Sequence, residues 1–261
     1  MKFLVSILGI FGSFIVVFIL LFLAYFAMPI LGSNSFGEFK LLELSFSSLA
    51  IATIATVLAS AYSISIALTL NSIKSKRAKE LSESFFTLLS SVPTVIYAFL
   101  GVLLIVPFVR GVANCSGYSL VGAGFVLSFV VTPTIVLFIK DSFNTTPKAY
   151  ANIIYSIGGS RADYELNILL KYNKKAIFSS FILGFARAIG DTMIALMVAG
   201  NAINYPTSLS ISVRALTANI ALLFGEDFDS IEFKSIFASG LILFAISIVV
   251  IALAKRVQNA K

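Results

Sequence analysis

The sequence has no histidine, no tryptophan and one cysteine, Cys115. Without histidine there is no Ser/His/Asp constellation and no imidazole to hold a metal, and a lone thiol builds neither a disulfide framework nor a thiolate cluster. Charge is scarce too. Only 12% of residues are charged, against about 25% in a soluble domain, so the chain cannot cover its surface in water. No Gly-x-x-x-x-Gly-Lys-Ser/Thr segment is present to cradle nucleotide phosphates. Gly122-Ala123-Gly124 sits inside an apolar run and lacks the rest of a dinucleotide fingerprint. By itself, the chain is therefore not expected to be an enzyme.

What is abundant is apolar sequence, 59% of the 261 residues. A bilayer core about 30 Å thick takes roughly 20 apolar residues in a helix. Runs of that length predict six membrane spans, at 5–30, 46–70, 86–109, 119–139, 176–200 and 234–254. The first run follows Lys2 but is far longer than the apolar stretch of a signal peptide, and Met28-Pro29 makes a poor cleavage site, so it is read as a retained span. Pro93, Pro107 and Pro133 fit kinks in spans three and four, and Gly184 and Gly190 fit close packing in span five.

A net charge of +7 has its explanation in orientation. With the N-terminus inside, Lys2, Lys74, Lys76, Arg77, Lys79, Lys140, Lys148, Arg161, Lys171, Lys174, Lys175, Lys255, Arg256 and Lys261 all face the cytoplasm. Lys40, Arg110, Arg214 and Lys234 face outward, with the acids Glu226, Asp227, Asp229 and Glu232. Fourteen basic residues against four predict both termini in the cytoplasm.

The loop from Lys140 to Lys175 is too long and too well punctuated for a plain connector. Thr146-Pro147 reads as an N-cap followed by a first-turn proline. Tyr150, Ile153, Ile154 and Ile157 recur at helical spacing, Gly158-Gly159 ends that helix, and Ser160 with Asp163 forms a capping box opening the next. Such a hairpin is either an amphipathic element on the lipid headgroups or a docking element for a cytoplasmic partner.

Span five contains the only charges placed near the middle of a predicted span. Arg187 lies about 18 Å along a helix from Lys175, and Asp191 is expected one turn further on the same face. Each charge at that depth costs roughly 2.5–3.5 kcal/mol, which the pair lowers by partial neutralisation. The pair is either a structural bridge keying one helix to its neighbours or an anion site beside an aqueous path. A guanidinium is a planar fork of donors suited to phosphate-like oxyanions. A nearby carboxylate can hold that fork, and can accept a hydrogen bond from a protonated oxyanion.

These segments carry a resemblance. The 140–175 loop is similar to the Glu-Ala-Ala loop of ABC importer permeases: Gly158, Ile168 and Leu170 match, Asn152-Ile153-Ile154 replaces the acidic triplet, and Lys171 replaces the terminal proline. Gly184-Phe185-Ala186-Arg187-Ala188-Ile189-Gly190-Asp191-Thr192-Met193 resembles the Gly-x-x-Arg-Ala-Ile-Gly-Glu-Thr-Met segment of PstC-type phosphate permeases, with Asp191 in place of the longer acid. Val198-Ala199-Gly200-Asn201, Pro206-Thr207-Ser208 and Val213-Arg214-Ala215-Leu216-Thr217-Ala218-Asn219-Ile220-Ala221 follow in the family's order, and Val92-Pro93-Thr94-Val95-Ile96-Tyr97 matches upstream.

The resemblance implies an all-α polytopic protein with about six transmembrane helices in the type I, MetI-like importer fold. Residues 1–43 would form the first helix and outer loop, 44–254 the permease core, and 255–261 a cytoplasmic tail. It implies phosphate import across the cell inner membrane by alternating access, with molybdate or sulfate as rival oxyanions. Implied partners are a second permease subunit, a dimeric ATPase using ATP and Mg, and an extracytoplasmic phosphate-binding protein. Arg187, Asp191, Thr192 and Arg214 would line the substrate pathway, though Arg214 reads equally as a solvated loop arginine. Tyr150, Ile153, Ile154, Ile157, Gly158 and Gly159 would couple to the ATPase. A self-sufficient secondary transporter would show internal repeats, and none is evident. An intramembrane enzyme would need more than one membrane acid.

Overall fold

The computed structural model describes residues 2–31 and 39–259, and these are nearly all helical. The outer loop at 32–38 and Lys261 of the expected tail lie outside the described residues. Among the described residues eleven helices follow one another: α1 (Lys2–Leu31), α2 (Leu41–Ser72), α3 (Lys76–Ser91), α4 (Thr94–Ala113), α5 (Leu120–Asn144), α6 (Lys148–Ser156), α7 (161–172), α8 (Lys174–Ile189), α9 (Met193–Val198), α10 (Leu216–Leu223) and α11 (Ile231–Asn259). Among the described residues, five of them (α1, α2, α4, α5 and α11) are long and apolar enough to cross a membrane. The expected sixth crossing exists only as an interrupted helix, α8 followed by α9.

Two predicted spans need correction. The span expected at 86–109 is divided at Val92-Pro93, because proline lacks an N–H and drives the residue before it out of helical geometry. Val92 is extended, with ψ 130°. Residues 76–91 become the separate helix α3, which has no buried residue. The crossing itself is α4, and it widens into a π-turn at Gly101–Ile105, where the Val106 N–H reaches back to the Gly101 carbonyl just ahead of Pro107. The span expected at 176–200 stops at Ile189 and restarts at Met193.

Helix α5 is the centre of the bundle: most of it is buried, and its packing on α2 is the most extensive between helices among the described residues. Small residues allow the approach. A Cβ at Gly124 would lie 2.6 Å from the Ile54 side chain, and one at Gly184 would lie 2.6 Å from Ile135. The packing expected of Gly184 is thus present. That expected of Gly190 is not, since its nearest neighbour would stand 3.7 Å away. By contrast, α1 is held mainly by α11, through aromatic contacts such as Phe26 on Phe237 at 4.9 Å between ring centroids. Its outward face stays apolar and exposed, as lipid requires.

Between α9 and α10 the backbone is irregular, and several of its groups are hydrogen-bonded within the protein, as such chain inside a membrane requires. Gly200 (φ 93°) and Asn201 (φ 61°) turn it back on itself, and Gly200 pairs with Val213 in an isolated parallel bridge. A side chain at Gly200 would collide with Ser212. The returning chain crosses the start of α5 and accepts its first N–H groups, which a helix cannot satisfy itself. Leu120 donates to the Ile211 carbonyl at 2.9 Å and Val121 to the Leu209 carbonyl at 2.9 Å. Helix α2 grips the same segment: Ser48 Oγ accepts from the Leu216 N–H at 2.8 Å, and Ser47 donates to the Asn204 carbonyl at 3.3 Å.

Candidate functional site

Arg187 lies in the last turn of α8, where the helix dipole favours a cation. It is half-buried. Its Nη1 donates to Thr134 Oγ1 on α5, and its Nη2 donates to the Ser90 carbonyl at the end of α3, 3.4 Å away. Both partners are neutral. The ion pairs among the described residues join Lys76 to Glu80, Lys140 to Glu83 and Asp141, and Arg161 to Glu165. Arg187 takes part in none of them.

The expected pairing with Asp191 on one helical face is therefore not what forms. Helix α8 ends at Ile189, so the one-turn spacing does not apply, and the carboxylate has other partners. Asp191 Oδ1 accepts the Ile194 N–H at 2.9 Å, capping α9. The Asp191 carbonyl accepts from Thr217 Oγ1 at 3.0 Å. One residue thus joins α9 and α10 at the point where the helix breaks. Thr192 follows it, half-buried, at the mouth of α9.

Arg214 belongs to a second cluster. Its Nε donates to the Asn201 carbonyl at 2.9 Å and its Nη1 to Asn219 Oδ1 at 3.4 Å. Half-buried and tied at two points, it is not a freely solvated arginine. It shares no hydrogen-bond partner with Arg187, and Asp191 bonds to neither guanidinium, so the candidate residues do not form one hydrogen-bonded site. Thr134 and Ser90, which hold the Arg187 guanidinium, were not foreseen. Their backbone and hydroxyl groups carry no sequence signal until helix packing brings them near.

The cytoplasmic loop forms the expected two-armed hairpin. Arm α6 ends at Gly158, whose φ of 80° suits glycine. The Ser160–Asp163 capping box is present in both directions, and its hydrogen bonds hold the Asp163 carboxyl below its ordinary pKa. Thr146 differs from expectation. It does not cap α6; instead its Oγ1 accepts from Asn173 Nδ2 at 2.8 Å, and both residues are buried at the hairpin base. Tyr150, Ile153 and Ile157 are exposed, Ile157 at 75%. Ile154 is half-buried and turns toward Gly159, where a Cβ would lie 2.6 Å from its side chain. At Gly158 the space is open, so Gly159, not Gly158, is where a bulky side chain has no room.

A family model described as the inner membrane component of binding-protein-dependent transport systems matches residues 63–261. The chain belongs to this family. It is 30% identical over 218 residues to the probable phosphate transport system permease protein PstC of Methanocaldococcus jannaschii, covering 76% of this chain and 69% of that protein. It is 26% identical over 231 residues to the probable ABC transporter permease protein YqgH of Bacillus subtilis, covering 88% of this chain and 75% of that one. In fold it is similar to an inward-facing structure of the MetNI methionine ABC transporter, with a TM-score of 0.65 at 12% identity, over 86% of this chain and 99% of that chain. The all-α, MetI-like architecture is thereby established, and with it the assignment as a multi-pass inner-membrane permease subunit of the ABC importer type.

Proposed function

We propose that this permease conducts inorganic phosphate into the cell, driven by a separate ATPase. The observation that carries the reading is the setting of Arg187, a cation inside a broken membrane segment whose two bonding partners are neutral. A hydroxyl and a carbonyl satisfy N–H groups without cancelling the charge. An oxyanion passing the fork cancels it, and a guanidinium suits phosphate-like oxygens. The relatives named as phosphate transport permeases support phosphate over other oxyanions.

In this reading Arg187, Asp191 and Thr192 line the inner part of the route, and Arg214 draws anions in at its outer mouth. A carboxylate at Asp191 accepts a hydrogen bond from hydrogenphosphate, which fully deprotonated sulfate cannot donate. The exposed apolar face of the 148–172 hairpin is the surface gripped by the ATPase dimer, which uses ATP and Mg. Closure of that dimer rocks this chain and a second permease subunit between inward-facing and outward-facing states. An extracytoplasmic binding protein delivers the anion. The excess of basic residues on the hairpin side supports cytoplasmic termini.

The test is uptake of labelled phosphate by the assembled transporter in cells lacking their own system, against competing sulfate and molybdate. Phosphate uptake that collapses in Arg187→Ala and is partly kept in Arg187→Lys is the expected result. Equal uptake with alanine at 187, or preferential uptake of a competitor, sinks the phosphate reading.

A further inference from the structure

The second arm of the hairpin carries a buried carboxylate that the transport route does not use. Glu165 is 8% exposed and sits in a π-turn at Tyr164–Leu169, beside fully buried Leu169. Its Oε1 accepts from Asn71 Nδ2 at 3.1 Å, from Ser72 Oγ at 2.9 Å and from Arg161 Nε at 3.0 Å. Arg161 in turn donates through Nη2 to the Asn71 carbonyl. That carbonyl is among the last of α2, where helix acceptors lack partners and a cation is favoured by the dipole. Four groups from two elements thus close on one another. Arg161 and Glu165 stand one helical turn apart, while Asn71 and Ser72 end a helix some ninety positions away in sequence.

Helix α2 is unbroken over 32 residues, about 48 Å. One end is held by this clamp. About 35 Å away, Ser48 and Ser47 hold Leu216 and Asn204, at the two sides of the irregular segment that also carries Arg214. Resting on the reading of the hairpin as the ATPase-driven element, we propose that Glu165 is a positioning residue of the transport cycle. With Arg161 it fastens the hairpin to α2, so that α2 delivers hairpin displacement to the 199–215 segment on the opposite side of the bundle. A carboxylate suits the task because it accepts from an amide, a hydroxyl and a guanidinium together, which no neutral side chain of its size does. Removing it leaves partly buried donors unpaired at the joint itself.

The experiment measures ATP hydrolysis and anion uptake together in the complete transporter reconstituted in liposomes. Glu165→Ala is expected to keep ATP hydrolysis within about two-fold while uptake per ATP falls about ten-fold. Glu165→Gln, which still accepts from Asn71 and Ser72 but loses the charge facing Arg161, should fall between. If the alanine variant does not reach the membrane, the glutamine variant and Ser72→Ala carry the same readout. An unchanged ratio of uptake to hydrolysis overturns the proposal. So does a proportional loss of both, since that is the signature of a residue that only holds the fold or the docking surface together. The ratio is read with whichever anion the wild-type transporter carries, so failure of the phosphate reading and failure of the clamp are separate results.

Discussion

The hairpin at 148–172 and the broken segment at 187–216 are both irregular, yet they are incomplete in opposite ways. At the hairpin, polar groups are satisfied by the capping box and by Glu165, while apolar side chains such as Ile153 and Ile157 stand exposed at the aqueous end of the molecule. In the broken segment, several backbone groups are bonded to α5 and across the Gly200–Val213 bridge, while the Arg187 guanidinium has neutral hydrogen-bond partners and no ion pair. Uncovered apolar surface in water calls for a protein partner. A membrane-embedded cation without an ion-pair partner favours a passing counter-ion. The same chain therefore advertises two different missing pieces, and each can be tested without the other.

The largest effect is expected at Gly159. A leucine there collides with the Ile154 side chain and with its carbonyl, 2.9 Å from the Cβ position, so uptake should drop to background while membrane fractionation shows normal insertion. Gly158→Ala meets no neighbour and bears only the left-handed backbone cost of about 1–2 kcal/mol, so it should retain transport. If both variants behave alike, the hairpin's shape is not what couples. Next is Arg187→Ala, expected to lower uptake about 10²-fold, the ~3 kcal/mol of a charged hydrogen bond, with ATPase binding unchanged. Ile157→Asp should reverse that pattern: ATPase binding weakens about ten-fold, as for an interface contact of ~1.4 kcal/mol. Because Ile157 is exposed, stability of the chain should hold within about 0.5 kcal/mol, as a melting curve would show. The smallest effect belongs to Asp191→Asn. Asparagine caps a helix as well as aspartate, so the fold should persist while preference for phosphate over sulfate narrows about five-fold, the ~1 kcal/mol of one hydrogen bond. Unaltered preference would leave Asp191 with the capping role alone.

Much of the hairpin was legible in advance because its signals are local. Thr146-Pro147, Gly158-Gly159 and Ser160 with Asp163 each act within a few residues, and only the partner of Thr146 came out differently, since Asn173 approaches it from the far end of the loop. The Arg161–Glu165 spacing was also open to view, one helical turn apart, but nothing local says that Asn71 and Ser72 wait beside it. The broken span was less legible. Apolar content cannot distinguish one continuous helix from two pieces, and a span drawn through 176–200 missed the break because Asp191 spends its carboxylate on the N–H of Ile194 rather than on Arg187. Pro93 was foreseen as a kink, whereas the backbone it stiffens separates α3 from α4 altogether.

By itself the sequence determined that this chain lives in a bilayer, that its basic residues concentrate in alternate loops, and that a guanidinium lies deep in its fifth apolar run. Those properties follow from composition and from the count of residues needed to cross hydrocarbon. Only the tertiary structure decided which groups meet that guanidinium, which residue anchors the hairpin, and how α2 holds the irregular segment before α10. These depend on contacts between residues tens to more than a hundred positions apart, and such pairings are chosen by helix packing rather than by any local preference of the chain.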